Sequence, residues 1–403
     1  MSLDGRSETL QAALRYLLFA LLGSVLYLVG TVLLYGSYGT LDIVLLADRV
    51  RAEPPTLAAA ALMTVGLLAK TALFPLHLWL PPAHSGAPAA ASAVLSGLVV
   101  KGSFFLVVRL WFNVMPGLTS YAGAQLLAAM GAAAILFGSV VALRQERLKL
   151  LVAYSTVAQI GYLFLMFPLA FSPVTAQIQS GGGLTGGILQ AISHATAKAA
   201  MFMSAGLIYA ALGHDRIVGL GGVGRALPVS VLAFALGGVA LIGAPPSGAY
   251  LAKELLLQAA VETEQWWWAI VVQAGGVFTS SYLLLVLAHA LAPADAPNTP
   301  RVRVPRMAEA AALALALCSL LLGLFPWEAY LSVPHGTAAK PFDLGSLANV
   351  LWPILIGGML AILLGRWAPG WRTHPMGNSS SPWSLRSDAG PLYWAACSSG
   401  SMT

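Results

Sequence analysis

Apolar residues run through this sequence in long unbroken blocks, not in alternation. Ten blocks stand out, at 13–36, 57–74, 88–113, 122–143, 149–170, 185–212, 227–261, 266–291, 307–325 and 349–365. Most are near the roughly twenty residues that carry an α-helix across a bilayer. A transmembrane barrel would show alternating segments of about ten residues, so the pattern predicts helices. The block at 227–261 is too long for one straight helix and contains Pro245-Pro246; it is expected to make one broken crossing. The block at 57–74 runs into a proline-rich piece, 74–88, holding Pro75, Pro81 and Pro82. That piece is expected to form a short half-helix or loop at membrane depth. The fold class predicted is an all-α polytopic transmembrane bundle of about ten spans, with two proline-broken helices and a partial inverted repeat. The repeat is visible as one device used twice: a proline break with a lysine beside it, at Lys70/Pro75 and at Pro245-Pro246/Lys253. Unwound backbone at membrane depth is tolerated where it lines a cavity, so paired breaks point to a transport site.

Composition supports the same picture. Of 403 residues, 58% are hydrophobic and 9% charged, against about 25% charged in a soluble domain. A water-soluble globule could not cover that much apolar surface. The first block is too long for a signal-peptide core and has no clear cleavage site, so it reads as a span. The net charge is +6, and its distribution sets the orientation. With the N-terminus inside and ten crossings, the inner loops collect Arg6, the run Arg144/Arg147/Lys149, Arg216 and Arg225, Arg301/Arg303/Arg306, and Arg366/Arg372. The outer loops collect Arg49 and Arg51, balanced by Asp42, Asp48 and Glu53, and then Glu262, Glu264, Glu328, Lys340 and Asp343. That is a positive-inside arrangement, with both termini cytoplasmic in an inner or plasma membrane. Cys318 and Cys397 have no metal-ligand spacing and are not expected to pair. Trp266-Trp267-Trp268 opens a span and reads as an interfacial belt. The stretch after Arg366, rich in Ser, Pro and Gly, is expected to be disordered.

The residues that stand out are charges inside spans. Lys101 and Lys198 lie mid-span, Lys70 near the end of one, and Lys253 and Glu254 follow the double proline. A lysine at the bilayer centre costs at least about 2.5–3.5 kcal/mol on insertion scales. The bland alternative is that each amine snorkels to the interface, most easily for Lys70. No Asp or Glu occurs between Pro54 and Leu143, so Lys70 and Lys101 have no acid nearby in sequence. An amine taken out of water without a counter-charge gives up its proton more readily, and such a group can relay protons. Otherwise another chain supplies the carboxylate. His194 and Lys198, four apart, share a helix face and suit proton hopping; an inter-helix hydrogen bond is the plainer role for His194. His77 and His84, in the proline-rich piece, are candidates for lining a water entrance, with structural hydrogen bonding as an equal alternative. His289 reads as interfacial. Gly243, Ser247 and Gly248 beside the second break allow close packing and water entry. No span carries two well-placed histidines, which argues against haem; no cofactor and no metal are expected.

Four ordered motifs then resemble one family. They are LLAKTALFPLHLWLPPAHSGAPAAASAVLSGLVVKGSFFLVVRLWF at 67–112, RLKLLVAYSTVAQIGYLFL at 147–165, ISHATAKAAMFMSAGLI at 192–208 and GAPPSGAYLAKELLL at 243–257. They are similar to the antiporter-like subunits of respiratory complex I, the large subunits of Mrp-type sodium/proton antiporters, and membrane-bound hydrogenases. The resemblance implies a mid-membrane chain of titratable groups joined by water. On it, Lys70 falls on the lysine of the first broken helix, Lys101 on the next relay position, His194 and Lys198 on the second-half relay, and Lys253 on the terminal position. The opening span resembles the family's sixth helix, so the first five, with a glutamate that faces Lys70, are expected to be missing here. This divides the chain into 1–113, a remnant of the first inverted repeat (family helices 6–8); 114–292, the complete second repeat; 293–365, C-terminal extra helices; and 366–403, a disordered tail.

The function implied is that of a proton- or cation/proton-translocating membrane subunit of a larger complex, with no catalytic centre of its own and possible membership of an NADH:quinone oxidoreductase-type or hydrogenase-type assembly. Its relay residues would be Lys70, Lys101, His194, Lys198, Lys253 and Glu254. Its partners would be other integral membrane subunits, one supplying a carboxylate for Lys70, and the lipid bilayer, with no nucleic acid. The alternatives are an accessory subunit of an inorganic-carbon uptake complex and a non-conducting structural subunit.

Overall fold

A computed structural model describes residues 7–172, 181–293, 300–327, 330 and 347–367. The described elements are helices: α1 Ser7–Tyr38, α2 Ile43–Arg49, α3 Pro54–Thr71, α4 Leu80–Gly86, α5 Ala89–Val94, α6 Val100–Arg109, α7 Tyr121–Leu143, α8 Leu148–Leu169, α9 Gly182–Leu212, α10 Val223–Ala226, α11 Pro228–Ile242, α12 Gly248–Glu262, α13 Trp266–Leu291, α14 Arg306–Leu321 and α15 Leu347–Trp367. Eight continuous helical stretches are long and apolar enough to cross a membrane. The two remaining expected crossings are the broken ones, α3/α4 and α11/α12, so all ten blocks appear as helix. Cys397 and the stretch after Trp367 lie outside the described residues, as do Glu328, Lys340 and Asp343; Cys318 is a free, exposed thiol.

Both breaks follow the prolines. α3 ends at Ala72, a left-handed cap with φ 59°, and α11 ends at Gly243, with φ 91°. Each cap precedes a cis X–Pro bond, Phe74–Pro75 or Pro245–Pro246. The third crossing is also irregular, which the sequence pattern did not indicate. Between α5 and α6, residues Leu95–Val99 form a π turn, and Leu110–Val114 form a second one after α6.

Nearly all of α8 is buried, so it forms the axis of the bundle, with α7, α9 and α13 packed around it. Small residues permit the closest approach. A Cβ added at Gly131 or at Gly161 would collide with the other glycine's carbonyl oxygen, and one at Gly138 would sit 2.6 Å from Ala158 N. In lipid, such contacts carry much of the helix–helix attraction. α1 is the outlying member: it packs on α3 through Gly23 and Gly66, while Leu18, Leu22, Leu28 and Val32 on its other faces are exposed. Exposed leucines along α1 and α15 are what a lipid-facing surface requires.

The connections sort the helix ends. Arg147 and Arg216 pair as an isolated bridge, Arg301 N–H donates to Ala211 O, and Gly222 N–H donates to Ala292 O. The loops after α7, α9 and α13 and the one before α14 therefore meet at one arginine-rich end. At the other end Gln265 Nε2 donates to Pro168 O, and Gln125 Nε2 donates to Gln265 Oε1. The arginine-bearing loops and these glutamine contacts thus lie at opposite ends of the bundle.

Two expectations at the bundle ends are corrected. Lys149 does not belong to the exposed arginine cluster: it is buried, its Nζ donates to Ala87 O at 3.0 Å, and it lies 5.3 Å from the Tyr209 ring centroid. Trp268 is likewise buried, donating Nε1–H to Gln125 Oε1, so only Trp266 and Trp267 are exposed as a belt requires.

Candidate functional site: a buried file of lysines

Four of the in-span lysines sit on four different crossings, and each amine is held by neutral oxygen. Lys70 lies in the last turn of α3. Its stem passes over Gly23, where a Cβ would come 2.7 Å from Lys70 Cγ, and its Nζ donates to Ser24 Oγ of α1 at 3.0 Å. Lys101 is buried one turn past the π segment, and its Nζ donates to the Ser96 carbonyl within that segment at 2.6 Å. π turns disturb the regular i−4 ladder and recur at functional sites. Lys198, fully buried at mid-length on α9, donates to Ser155 Oγ at 2.5 Å and to Val152 O at 3.2 Å, both on α8. Lys253, on α12, donates to Ile242 O at 2.7 Å and Leu241 O at 3.4 Å. Those carbonyls end α11, where they have no partner within the helix. The Lys253 amine also stands 5.1 Å from the centroid of the Tyr162 ring, within cation–π range. None of the four amines lies within ion-pair distance of a carboxylate among the described residues; the one such pair there, Arg147–Asp215, is at the arginine-rich end.

The histidines divide. His194 is fully buried within electrostatic reach of Lys101 and Lys198. His84 is also fully buried, stacks on Phe202 at 4.3 Å, and is within reach of Lys198, Lys101 and Lys149. Both imidazoles are thus within electrostatic reach of the Lys101 and Lys198 amines. His77 is packed elsewhere, stacked on Phe74 and edge-on to Phe137. Glu254 accepts from Asn349 Nδ2 at 3.4 Å. Both residues line a cavity of about 20 Å³ together with Tyr250, Val272 and Gln273, enough space for roughly one water molecule. His289 bonds back to Leu285 O at 2.8 Å within its own helix. Among the described residues no three of His, Cys, Asp and Glu converge as metal ligands would.

Hydroxyl and amide side chains that drew no notice in the sequence lie between the lysines. Ser96 Oγ and Thr156 Oγ1 are 3.5 Å apart, and Thr156 Oγ1 donates to Val152 O, the carbonyl that also accepts Lys198. Beyond Lys198, the Tyr282 hydroxyl donates to Thr279 Oγ1 at 3.3 Å, Gln159 Nε2 donates to Thr279 Oγ1 at 3.2 Å, and Gln190 Nε2 donates to Gln159 Oε1 at 3.1 Å. The Tyr162 hydroxyl donates to Val272 O at 3.2 Å. Gly275 leaves the space that the Tyr162 hydroxyl fills, since a Cβ there would overlap it. All of these side chains are buried. Polar groups in a hydrocarbon slab require partners; most of these find one another, while Gln190 Oε1 has none.

The chain is thus a helical membrane bundle with two broken helices and a buried file of lysines. Residues 1–279 match the family model described as NADH:quinone oxidoreductase/Mrp antiporter, transmembrane, and the chain belongs to that family. It is 32% identical over 342 residues to NADH-quinone oxidoreductase subunit N of Desulforudis audaxviator, covering 80% of this chain and 66% of that protein. It is 33% identical over 301 residues to the A/B subunit of a probable K⁺/H⁺ antiporter of Rhizobium meliloti, covering 72% of this chain and 29% of that one. Among solved structures, a chain of the Mrp complex from Dietzia sp. superposes with a TM-score of 0.69 at 26% identity, over 85% of this chain and 70% of that one. The chain thus spans just under two thirds of the first relative's length and under a third of the second's. It is a multi-pass membrane protein, and these relatives are subunits of membrane complexes.

Proposed function

We propose that the chain moves protons, or a cation in exchange for protons, across the membrane as one subunit of a larger complex. Lys101, His194, Lys198 and Lys253 form the buried relay, with Lys70 and Glu254 at its two ends. The observation that carries this reading is that four lysines on four crossings hold their amines against hydroxyls and carbonyls. A carboxylate partner would fix the charge in place; a neutral carbonyl or hydroxyl oxygen accepts from the ammonium without a counter-charge, and a hydroxyl can also turn its own proton towards a neutral amine. Buried intramembrane charges of this kind mark ion pathways by default. Residues 114–292 would hold most of the file.

Two further points belong to the same reading. Positive-inside loops put the arginine-rich end in the cytoplasm, and Lys149 with His84 then marks the side from which water would enter. Lys70, whose described partner is Ser24, would face, past α1, a carboxylate of a neighbouring subunit. A charge change there would act on Lys70 and, through it, on Lys101. The reading is tested with the chain purified together with its accompanying membrane subunits, reconstituted in vesicles and followed with a pH-sensitive dye. Lys101→Ala is expected to abolish flux while insertion is unchanged; undiminished flux would refute the relay. A structure of the assembly with no acidic group within reach of Lys70 would refute the partner carboxylate.

A further inference from the structure

A cleft of about 640 Å³ runs between α12, α13 and α15, within the roughly 300–1,000 Å³ of small-molecule sites. Its walls are mostly apolar, and Val261, Ile270 and Trp352 on them are exposed, so it opens towards hydrocarbon. Two amides interrupt the apolar wall, Gln273 from α13 and Asn349 from α15. Both also line the small cavity beside Lys253 and Glu254, so they stand between the two spaces. Asn349 Nδ2 donates to Glu254 at 3.4 Å. Gln273 is half-buried, and its side-chain amide has no hydrogen-bond partner among the described residues. It follows the exposed Trp266 by seven residues on α13, about 10 Å along the helix axis, and so lies below the interfacial belt.

We propose that this cleft binds an uncharged single-chain amphiphile from the membrane. Its chain lies along the apolar walls, and its hydroxyl- or amide-bearing head meets Gln273 and Asn349. The unpaired amide selects this occupant. A phospholipid chain alone would leave Gln273 without a partner in hydrocarbon, which is costly, because the phosphate head stays at the level of the interfacial tryptophans. A charged head at this depth carries the cost of an intramembrane charge. Nothing offsets that cost, since the residues behind the amides, Lys253 and Glu254, are of opposite sign. An amide both donates and accepts, as a hydroxyl does in its own way, so a small neutral head of this kind satisfies Gln273. A glycerol monoester has that chemistry. Binding here does not depend on whether the lysines conduct, so a failed relay leaves it standing.

The test uses the chain with its accompanying membrane subunits in detergent and single-chain probes brominated along the chain, because bromine quenches nearby tryptophan fluorescence. The difference between the parent and Trp352→Phe isolates the signal of Trp352 on the cleft wall. Brominated monostearoylglycerol is expected to quench Trp352 saturably. It should do so at about one tenth of the concentration needed by ionised brominated stearate or by the cationic choline ester of the same acid. Gln273→Leu keeps the bulk and removes the amide, and should weaken binding of the glycerol ester by about tenfold. Should that variant fail to insert, Asn349→Leu makes the same comparison from α15. Ala274→Phe, on the exposed wall of the cleft, should abolish the quenching by filling the space. Quenching that never saturates, or that is equal for every head, would mean ordinary lipid contact only and overturns the site. Unchanged affinity in Gln273→Leu also overturns it, because the amide would then select nothing. An absence of Trp352 quenching would mean that another polypeptide covers the cleft, and the site falls on that result too.

Discussion

Lys253 donates to the carbonyl of Ile242, 2.7 Å away, so that the amine of one half of a broken helix closes the end of the other half. The C-terminal end of α11 carries unpaired carbonyls and the negative end of the helix dipole. A cation placed there is stabilised without a counter-ion. The first break is built differently: Lys70 belongs to the helix that ends, and it reaches sideways to Ser24 on α1. The two halves of the chain use one device, a proline break beside a lysine, with different partners for the amine.

This relationship predicts a structural role for Lys253 besides its part in conduction. Lys253→Met keeps most of the stem but leaves the Ile242 and Leu241 carbonyls without the amine. Losing a hydrogen bond from a charged group costs about 1.5–3 kcal/mol. A lower melting temperature in detergent is expected, together with loss of flux. Lys253→Gln, which can still donate, should recover part of the stability and none of the flux.

The approach of α7 to α8 gives a second prediction. Gly161→Ala places a methyl group against the Gly131 carbonyl, and backbone on both sides leaves no flexible side chain to yield. Overpacking of this kind costs about 1–3 kcal/mol. Thermal unfolding should show the loss, and Gly36→Ala, where a Cβ meets nothing within 4 Å, should show none.

Asp215 gives a third. α8 begins at Arg147, whose side chain does not cap it. Asp215, from the loop after α9, takes that place: Oδ2 accepts from Lys149 N–H at 3.3 Å and Oδ1 from Arg147 Nε at 2.9 Å. The Arg147 side chain is substantially exposed, so the ion pair itself contributes little, and the cap is what matters. Asp215→Ala should cost about 1 kcal/mol. It should also raise amide hydrogen exchange in the first turn of α8, with flux unchanged.

How much of this was legible in the sequence follows from what each feature costs. A crossing needs a continuous apolar run, so all ten blocks could be read, and prolines just after one block and inside another located both breaks. A lysine within such a run is expensive enough to stand out, which is why Lys101, Lys198 and Lys253 were found. Ser155, Thr156, Thr279 and Tyr282 were not found, because a hydroxyl on a helix can bond its own backbone and is cheap in a span. Only their convergence from α8 and α13 distinguishes them, and that is a property of packing. The burial of Lys149 was missed because it follows two half-buried loop arginines, Arg144 and Arg147, in sequence; the Ala87 carbonyl that receives it comes from a distant turn. Trp268 was misread for the same reason, since Gln125 arrives from α7. The π turn beside Lys101 left no mark in the pattern of apolar residues.

The most direct test of the central claim is the proton flux of Lys198→Arg in reconstituted vesicles. Arginine keeps the positive charge, and its several donors can still reach Ser155 and Val152, but it does not release its proton in a protein. If Lys198 works by holding and dropping a proton, the arginine variant should insert normally and conduct at about one tenth of the parent rate or less. Flux equal to that of the parent would mean that a fixed charge is sufficient at this position, and the relay through buried amines would be contradicted.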